Sequence, residues 1–118
     1  MAGVNKIILI GNLGKDPEVF KFENGNKKVS FSLATNESFK NKDGERTERT
    51  EWHNIVAYRG LAEVAEKYLK KGELIYLEGS IHYRSYEDKD NKKQFISEIE
   101  ADSFMMLGAK KDTANDLP

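Results

Sequence analysis

Apolar and polar residues alternate with a period of two over much of this chain, and glycine, asparagine and proline punctuate the alternation. Val4 to Gly11 is a short β-branched run closing in Gly-Asn-Leu-Gly, which predicts a buried strand and a turn. Asp16-Pro17 breaks the chain, Val19, Phe20 and Phe22 form a short extended piece, and Asn24-Gly25 signals a hairpin. The clearest strand follows: Val29, Phe31 and Leu33 alternate with Ser30, Ser32 and Ala34. Glu37 to Thr50 is polar, charged and carries Gly44, and reads as a long, exposed, mobile hairpin loop. Trp52 to Tyr58 returns as a strand, with Trp52, Asn54, Val56 and Tyr58 on one face and His53, Ile55 and Ala57 on the other.

One helix is predicted, over Leu61 to Lys70. Leu61, Ala62, Val64, Ala65, Tyr68 and Leu69 recur at helical spacing, and Lys70-Lys71-Gly72 supplies basic last-turn residues and a C′ glycine. Leu74 to Tyr86 is a long strand interrupted by Gly79, which implies a bulge or a bend at a barrel corner. Asp88 to Lys93 forms a second exposed hairpin tip, and Phe95 to Met106 is the last strand. Long, alternating, glycine-bent strands with one helix between strands 3 and 4 fit an all-β chain, the five-stranded Greek-key barrel of the OB-fold. Parallel α/β folds need many more helices. Residues 1–108 are expected to form this one domain and 109–118 a short flexible tail.

Composition narrows the chemistry. The 118 residues contain no cysteine, which excludes a disulfide framework, a thiolate nucleophile and a Cys-based zinc site. His53 and His82 are too few for most catalytic or metal constellations, and no nucleophile elbow, phosphate loop or paired-histidine metal motif occurs. No catalytic residue, metal or cofactor is assigned. The longest apolar run, Ile7 to Ile10, is far short of a membrane span, and the N-terminus lacks a signal-peptide pattern, so a cytoplasmic, reducing setting is expected.

Charge at first argues against nucleic acid. Nineteen basic and twenty acidic residues give a net charge of −1, where a basic footprint is the usual sign of a nucleic-acid binder. The sum hides a gradient: Glu98 onward carries five acids and two lysines, leaving residues 1–97 faintly basic. Aromatic and basic residues also sit together. Phe39 lies in the long polar segment near Lys40, Lys42 and Arg49; Tyr58 precedes Arg59; Tyr83 and Tyr86 flank Arg84 beside Lys89, Lys92 and Lys93. Aromatic faces for bases and cations for phosphates are what single-stranded nucleic acid requires. Trp52 fits either a core position or an exposed stacking position, and His53, with no second histidine or nucleophile nearby in sequence, fits a packed or interface position.

Gly3-Val4-Asn5-Lys6, Ile10-Gly11-Asn12-Leu13-Gly14 and Asp16-Pro17-Glu18 resemble the opening of the bacterial single-stranded DNA-binding proteins. So do Thr50-Glu51-Trp52-His53, Leu61-Ala62-Glu63-Val64-Ala65, Tyr68-Leu69-Lys70-Lys71-Gly72, Tyr76-Leu77-Glu78-Gly79 and Met106-Leu107-Gly108, in order and with matching spacing. The resemblance implies a homotetramer, a dimer of dimers, that wraps single-stranded DNA without sequence preference in replication, recombination and repair, in the nucleoid-bearing cytoplasm. It implies stacking by Trp52, Phe39, Tyr58 and Tyr86, phosphate contacts from Lys6, Lys71 and Arg84, with Arg59 substituting beside Gly60, and a subunit interface at Asn5, Ile7, Leu9 and His53. Phe39 and Tyr86 stand where well-known members carry tryptophan, so only Trp52 can report binding by fluorescence. Asp116-Leu117-Pro118 resembles the acidic tip through which members recruit replication and repair proteins, without its final aromatic. Two alternatives remain at this point: an OB-fold RNA-binding module, and an assembly protein whose barrel serves oligomerisation alone.

Overall fold

The computed structural model describes residues 2–108. The expected tail, with Asp116-Leu117-Pro118, lies outside the described residues. The elements run β1 (Ile7–Leu13), β2 (Glu18–Lys21), β3 (Lys27–Lys40), β4 (Arg46–Tyr58), α1 (Arg59–Tyr68), β5 (Leu74–Glu87) and β6 (Lys93–Met106). Five strands close a barrel in the order β1-β5-β6-β4-β3, and β3 returns to β1 through Asn12↔Ala34 and Leu13↔Leu33. The β4–β6 contact is parallel and brief, at Ile55↔Ile99 and Val56↔Glu100; the other pairings are antiparallel. This is the expected OB barrel, with one addition. The piece around Phe20 is a strand of its own, paired with the start of β3 where β1 does not reach, so the helix follows the fourth strand in the chain.

The core follows from the alternation. Val29, Phe31 and Leu33 meet Ile55, Ala57, Ile75, Leu77 and Ile99, and α1 contributes Ala62 and Ala65. Each large side chain buried there is worth about 1.5–3 kcal/mol of transfer free energy. Gly79 sits at a bulge between β5 and β6: Glu78 pairs with Ser103 and Gly79 with Ala101, leaving Asp102 as the extra residue on β6, and a Cβ on Gly79 would collide with the backbone carbonyl of Glu100, so only glycine fits there.

Two expectations change. The segment 37–50 is not a loop but the shaft of a hairpin: β3 and β4 stay paired from Lys28↔Tyr58 out to Lys40↔Arg46. Both faces of this ribbon meet solvent, so neither needs the apolar half of the alternation that reveals a strand. Its tip is only residues 41–45, held by Asn41 Oδ1, which accepts the N–H groups of Asp43 and Glu45 at 2.9 Å. β5 and β6 form a second such arm, ladder-paired out to Glu87↔Lys93. The helix, in turn, starts at Arg59 and ends at Tyr68, with Lys67 as its basic last-turn residue and Leu69 as an extended C-cap. Gly72 has a φ of 90° but belongs to the following turn, where its N–H donates to the Leu13 carbonyl at 2.9 Å.

Candidate nucleic-acid interface

β4 sets Trp52, Asn54, Val56 and Tyr58 on one face, as the alternation predicts; Trp52, Asn54 and Tyr58 are exposed there, whereas Val56 is covered and buried like Ile55 and Ala57 on the other face. Across the ladder their partners on β3 are Ala34, Ser32, Ser30 and Lys28. The small side chains of Ser30 and Ser32 leave a shallow trough of about 330 Å³ between them and β6. Trp52, 61% exposed, stands at one end. Its indole lies so close over Gly14 that a Cβ there would collide with the ring, and Gly14 is itself pinned by its N–H to the Ser32 carbonyl at 3.0 Å. Tyr58 stands toward the other end, beside Lys28. Burial, then the nearby Glu98 and Glu100, push its phenol pKa up, partly offset by Arg84, so it stays a neutral ring and a donor.

The cations of the trough are Lys15, Lys28 and Arg84, and two carboxylates lie among them. Lys15 reaches Glu18 at 3.7 Å, and Arg84 reaches Glu98 at 3.1 Å, whose side chain is only 15% exposed. Lys28 is in no ion pair among the described residues. Tyr86 follows Arg84 on the same face of β5 and is exposed. Lys71 does not line the trough; its backbone N–H donates to Asp16 Oδ1 at 2.8 Å, docking the loop after α1 on the loop that carries Gly14. Arg59 follows Tyr58 directly and has a left-handed φ of 58°, a conformation that costs a non-glycine residue about 1–2 kcal/mol.

Other sequence-derived residues lie elsewhere. The β3–β4 register is unbroken from Ala34↔Trp52 to Phe39↔Thr47, so strand alternation sets Phe39 on the opposite face of the arm from Trp52. There the Arg49 guanidinium lies over its ring at 5.6 Å. Lys6 does not line the trough. It pairs with Glu78 at 3.1 Å on the outer face of β1 and β5. There the Tyr76 hydroxyl donates to Glu78; that bond, then Lys6, holds the carboxyl below its usual range, and the same bond to Glu78 raises the tyrosine.

Asn5 acts as a strand extension: its Nδ2 donates to the Ile81 carbonyl at 2.7 Å and its Oδ1 accepts the Ile81 N–H at 3.0 Å. Ile7 and Leu9 pack against the chain's own core, whereas Ile8 and Ile10 are exposed. β1 contacts β3 only at Asn12 and Leu13, so its second edge is open from Ile7 to Gly11 among the described residues. His53 is half-buried, its Nε2 2.9 Å from the Thr35 hydroxyl. Sequence reasoning missed Lys15, Lys28, Ser30, Ser32 and Asn54 as trough residues. Carrying the Trp52–Tyr58 alternation across the hairpin to Ser32, Ser30 and Lys28 would have found three of them.

The profile of the Single-strand binding protein family matches residues 4–107. A single-stranded DNA-binding protein of Neisseria meningitidis is 49% identical over 115 residues, 98% of this chain and 66% of that protein. One from Xylella fastidiosa is 45% identical over 113 residues, 95% of this chain and 83% of that protein. The solved Plasmodium falciparum SSB complex with ssDNA superposes with a TM-score of 0.85 at 35% identity, covering 91% of this chain and 97% of that one. The chain thus spans about two thirds of the Neisseria relative's length and nearly all of the Plasmodium chain. With the barrel, the two arms and the aromatic trough, these matches establish that the chain belongs to the single-strand binding protein family.

Proposed function

We propose that this chain binds single-stranded DNA without sequence preference, protecting it in replication, recombination and repair. The observation that carries the reading is Trp52: a large ring left 61% exposed, laid on Gly14 at the head of a serine-floored trough with cations along it. Bases stack on Trp52 and Tyr58, and the phosphates follow Lys28, Lys15 and Arg84. Stacking tolerates any base because every base has a π-face. Tyr86 and Lys71 extend the path at its two ends, Arg59 borders Tyr58, and Phe39 and Lys6 meet a strand only where it wraps around an arm or the barrel. No metal or nucleotide takes part, and the setting is the cytoplasm around the nucleoid. The chain assembles as a homotetramer, a dimer of dimers. The open edge of β1 supplies backbone pairing through Asn5, Ile7 and Leu9, with His53 packed nearby and Ile8 and Ile10 covered by a second copy. Partner recruitment by an acidic tip belongs to the tail.

The test is a titration with oligo-dT at two salt concentrations, with oligomer mass measured alongside. Trp52 is the sole tryptophan, so its emission reports one site. Quenching whose affinity falls with salt, by a slope of about −0.7 per phosphate contact, is expected. Tight binding that leaves the emission unchanged removes Trp52 from the path, and preference for structured RNA in competition replaces the DNA reading.

A further inference from the structure

β2 carries an aromatic pair that the trough does not use. Phe20 is 58% and Phe22 40% exposed, and their rings meet edge to face with centroids 5.0 Å apart. The alternation fixes where they point. On β2, Val19 pairs with the buried Val29, whereas Glu18 and Phe20 pair with Ser30 and Lys28, and Glu18, Ser30 and Lys28 line the trough. Phe20 therefore stands on the trough face. Lys28 is in turn the register partner of Tyr58 on its other side. The order across the sheet is Phe20, Lys28, Tyr58, with the two rings two strand spacings apart, about 10 Å.

An exposed aromatic pair on a short edge strand is an association hazard unless something covers it. Edge-to-face packing explains why the two rings touch each other but leaves most of Phe20 in water. What adjoins it is cationic: Lys28, the trough lysine with no ion-pair partner among the described residues. A ring, a free ammonium and a second ring in one row match two nucleobases with the phosphodiester between them.

We propose that Phe20, backed by Phe22, is a further base-stacking position, which carries the strand out of the trough past Tyr58 and over β2 with Lys28 holding the intervening phosphate. The proposal rests on the DNA-binding reading above, so its test must separate the two. Phe20→Trp combined with Trp52→Phe moves the only fluorophore to β2 while leaving a π-face at position 52. Oligo-dT is expected to quench it in a salt-sensitive way. In the otherwise unaltered chain, Phe20→Leu keeps the apolar contact with Phe22 but removes the π-face, and is expected to weaken oligo-dT binding about 5- to 10-fold, whereas Phe20→Tyr retains it. A labelled strand that still binds, with no emission change at position 20 and no loss in Phe20→Leu, overturns the proposal and leaves the trough intact. Failure of the unaltered chain to bind overturns both.

Discussion

The two arms share one geometry and use it differently. Each is a long antiparallel ribbon leaving the barrel, and each tip is closed by an Asx side chain accepting two backbone N–H groups, Asn41 in the first and Asp88 in the second. The β3–β4 shaft is laced by cross-strand polar pairs. Arg49 reaches Glu37 at 3.2 Å, Arg46 donates to the Ser38 hydroxyl at 2.8 Å, and the Thr50 hydroxyl donates to Asn36 at 2.8 Å. Near its root the β5–β6 shaft has Arg84 with Glu98 at 3.1 Å and His82 Nε2 at 3.7 Å from Glu100, and along its length it carries the exposed rings of Tyr83, Tyr86 and Phe95. A two-stranded ribbon has no core, so cross-strand pairs worth about 0.2–1 kcal/mol each must hold it. The first arm uses its polar side chains for shape and keeps its one large stacking ring, Trp52, at the root. The second spreads its rings along the shaft.

The largest expected effect tests that contrast directly. Trp52→Ala should weaken oligo-dT binding by about 2–3 kcal/mol, and Tyr86→Ala by about 1 kcal/mol, read by anisotropy of a labelled strand. Phe39→Ala, on the far face of the first arm, should cost least. A Phe39 effect equal to that of Trp52 would show that the strand wraps the arm rather than lying along its root.

Next is the seat of the indole. Gly14→Ala puts a methyl where the ring now lies, so the indole must swing away. Affinity should fall by about 1 kcal/mol, the lower end for one stacked base, and the tryptophan emission of the free protein should shift. Unchanged emission would mean that the loop yields instead of the ring.

Why some of this was legible in the sequence is clearest from the arms. Val29-Phe31-Leu33 and Ile55-Ala57 declare themselves because one face of each strand is buried, and this sufficed for the barrel and for the Trp52–Tyr58 face, while the glycine inside β5 marked the bulge at Gly79. Asn36 to Lys40 and Arg46 to Thr50 have water on both sides, so their polarity is that of a loop and the ladder is invisible. The side on which Phe39 stands follows from carrying the alternation of Leu33 along β3, which cannot be done while 37–50 reads as a loop. Lys6 and Glu78 are joined only by the β1–β5 register, which composition does not encode.

A smaller effect concerns the cation at the root of the second arm. Arg84 faces Glu98 before it can face a phosphate. Glu98→Gln keeps a hydrogen-bond acceptor but releases the charge, so affinity should rise by about 1 kcal/mol or less and the salt dependence should steepen by about one contact, ~0.7 in slope. Glu37→Gln, which leaves Arg49 on the first arm only its 3.8 Å pair with Glu51, should do neither, because Arg49 lies on the face away from the trough. Equal gains from both would erase the distinction between the arms.

The smallest effect separates the tips by acid. Asp88 and Asn41 make the same two backbone contacts, but only Asp88 titrates. The backbone N–H of Lys92, then Gln94, favour its ionised form, so its folded pKa lies below the ordinary 3.8. A depressed carboxylate stabilises the fold above its unfolded pKa and loses that contribution as the pH falls through the folded value. Above about pH 4 the two tips should therefore be equally protected. As the pH is lowered from there, the amides of Asp90 and Lys92 should lose hydrogen-exchange protection, corrected for intrinsic rates, while those of Asp43 and Glu45 hold theirs. Asp88→Asn should abolish the difference by making the second tip a copy of the first, and a response that persisted in that variant would locate the titrating group elsewhere on the arm.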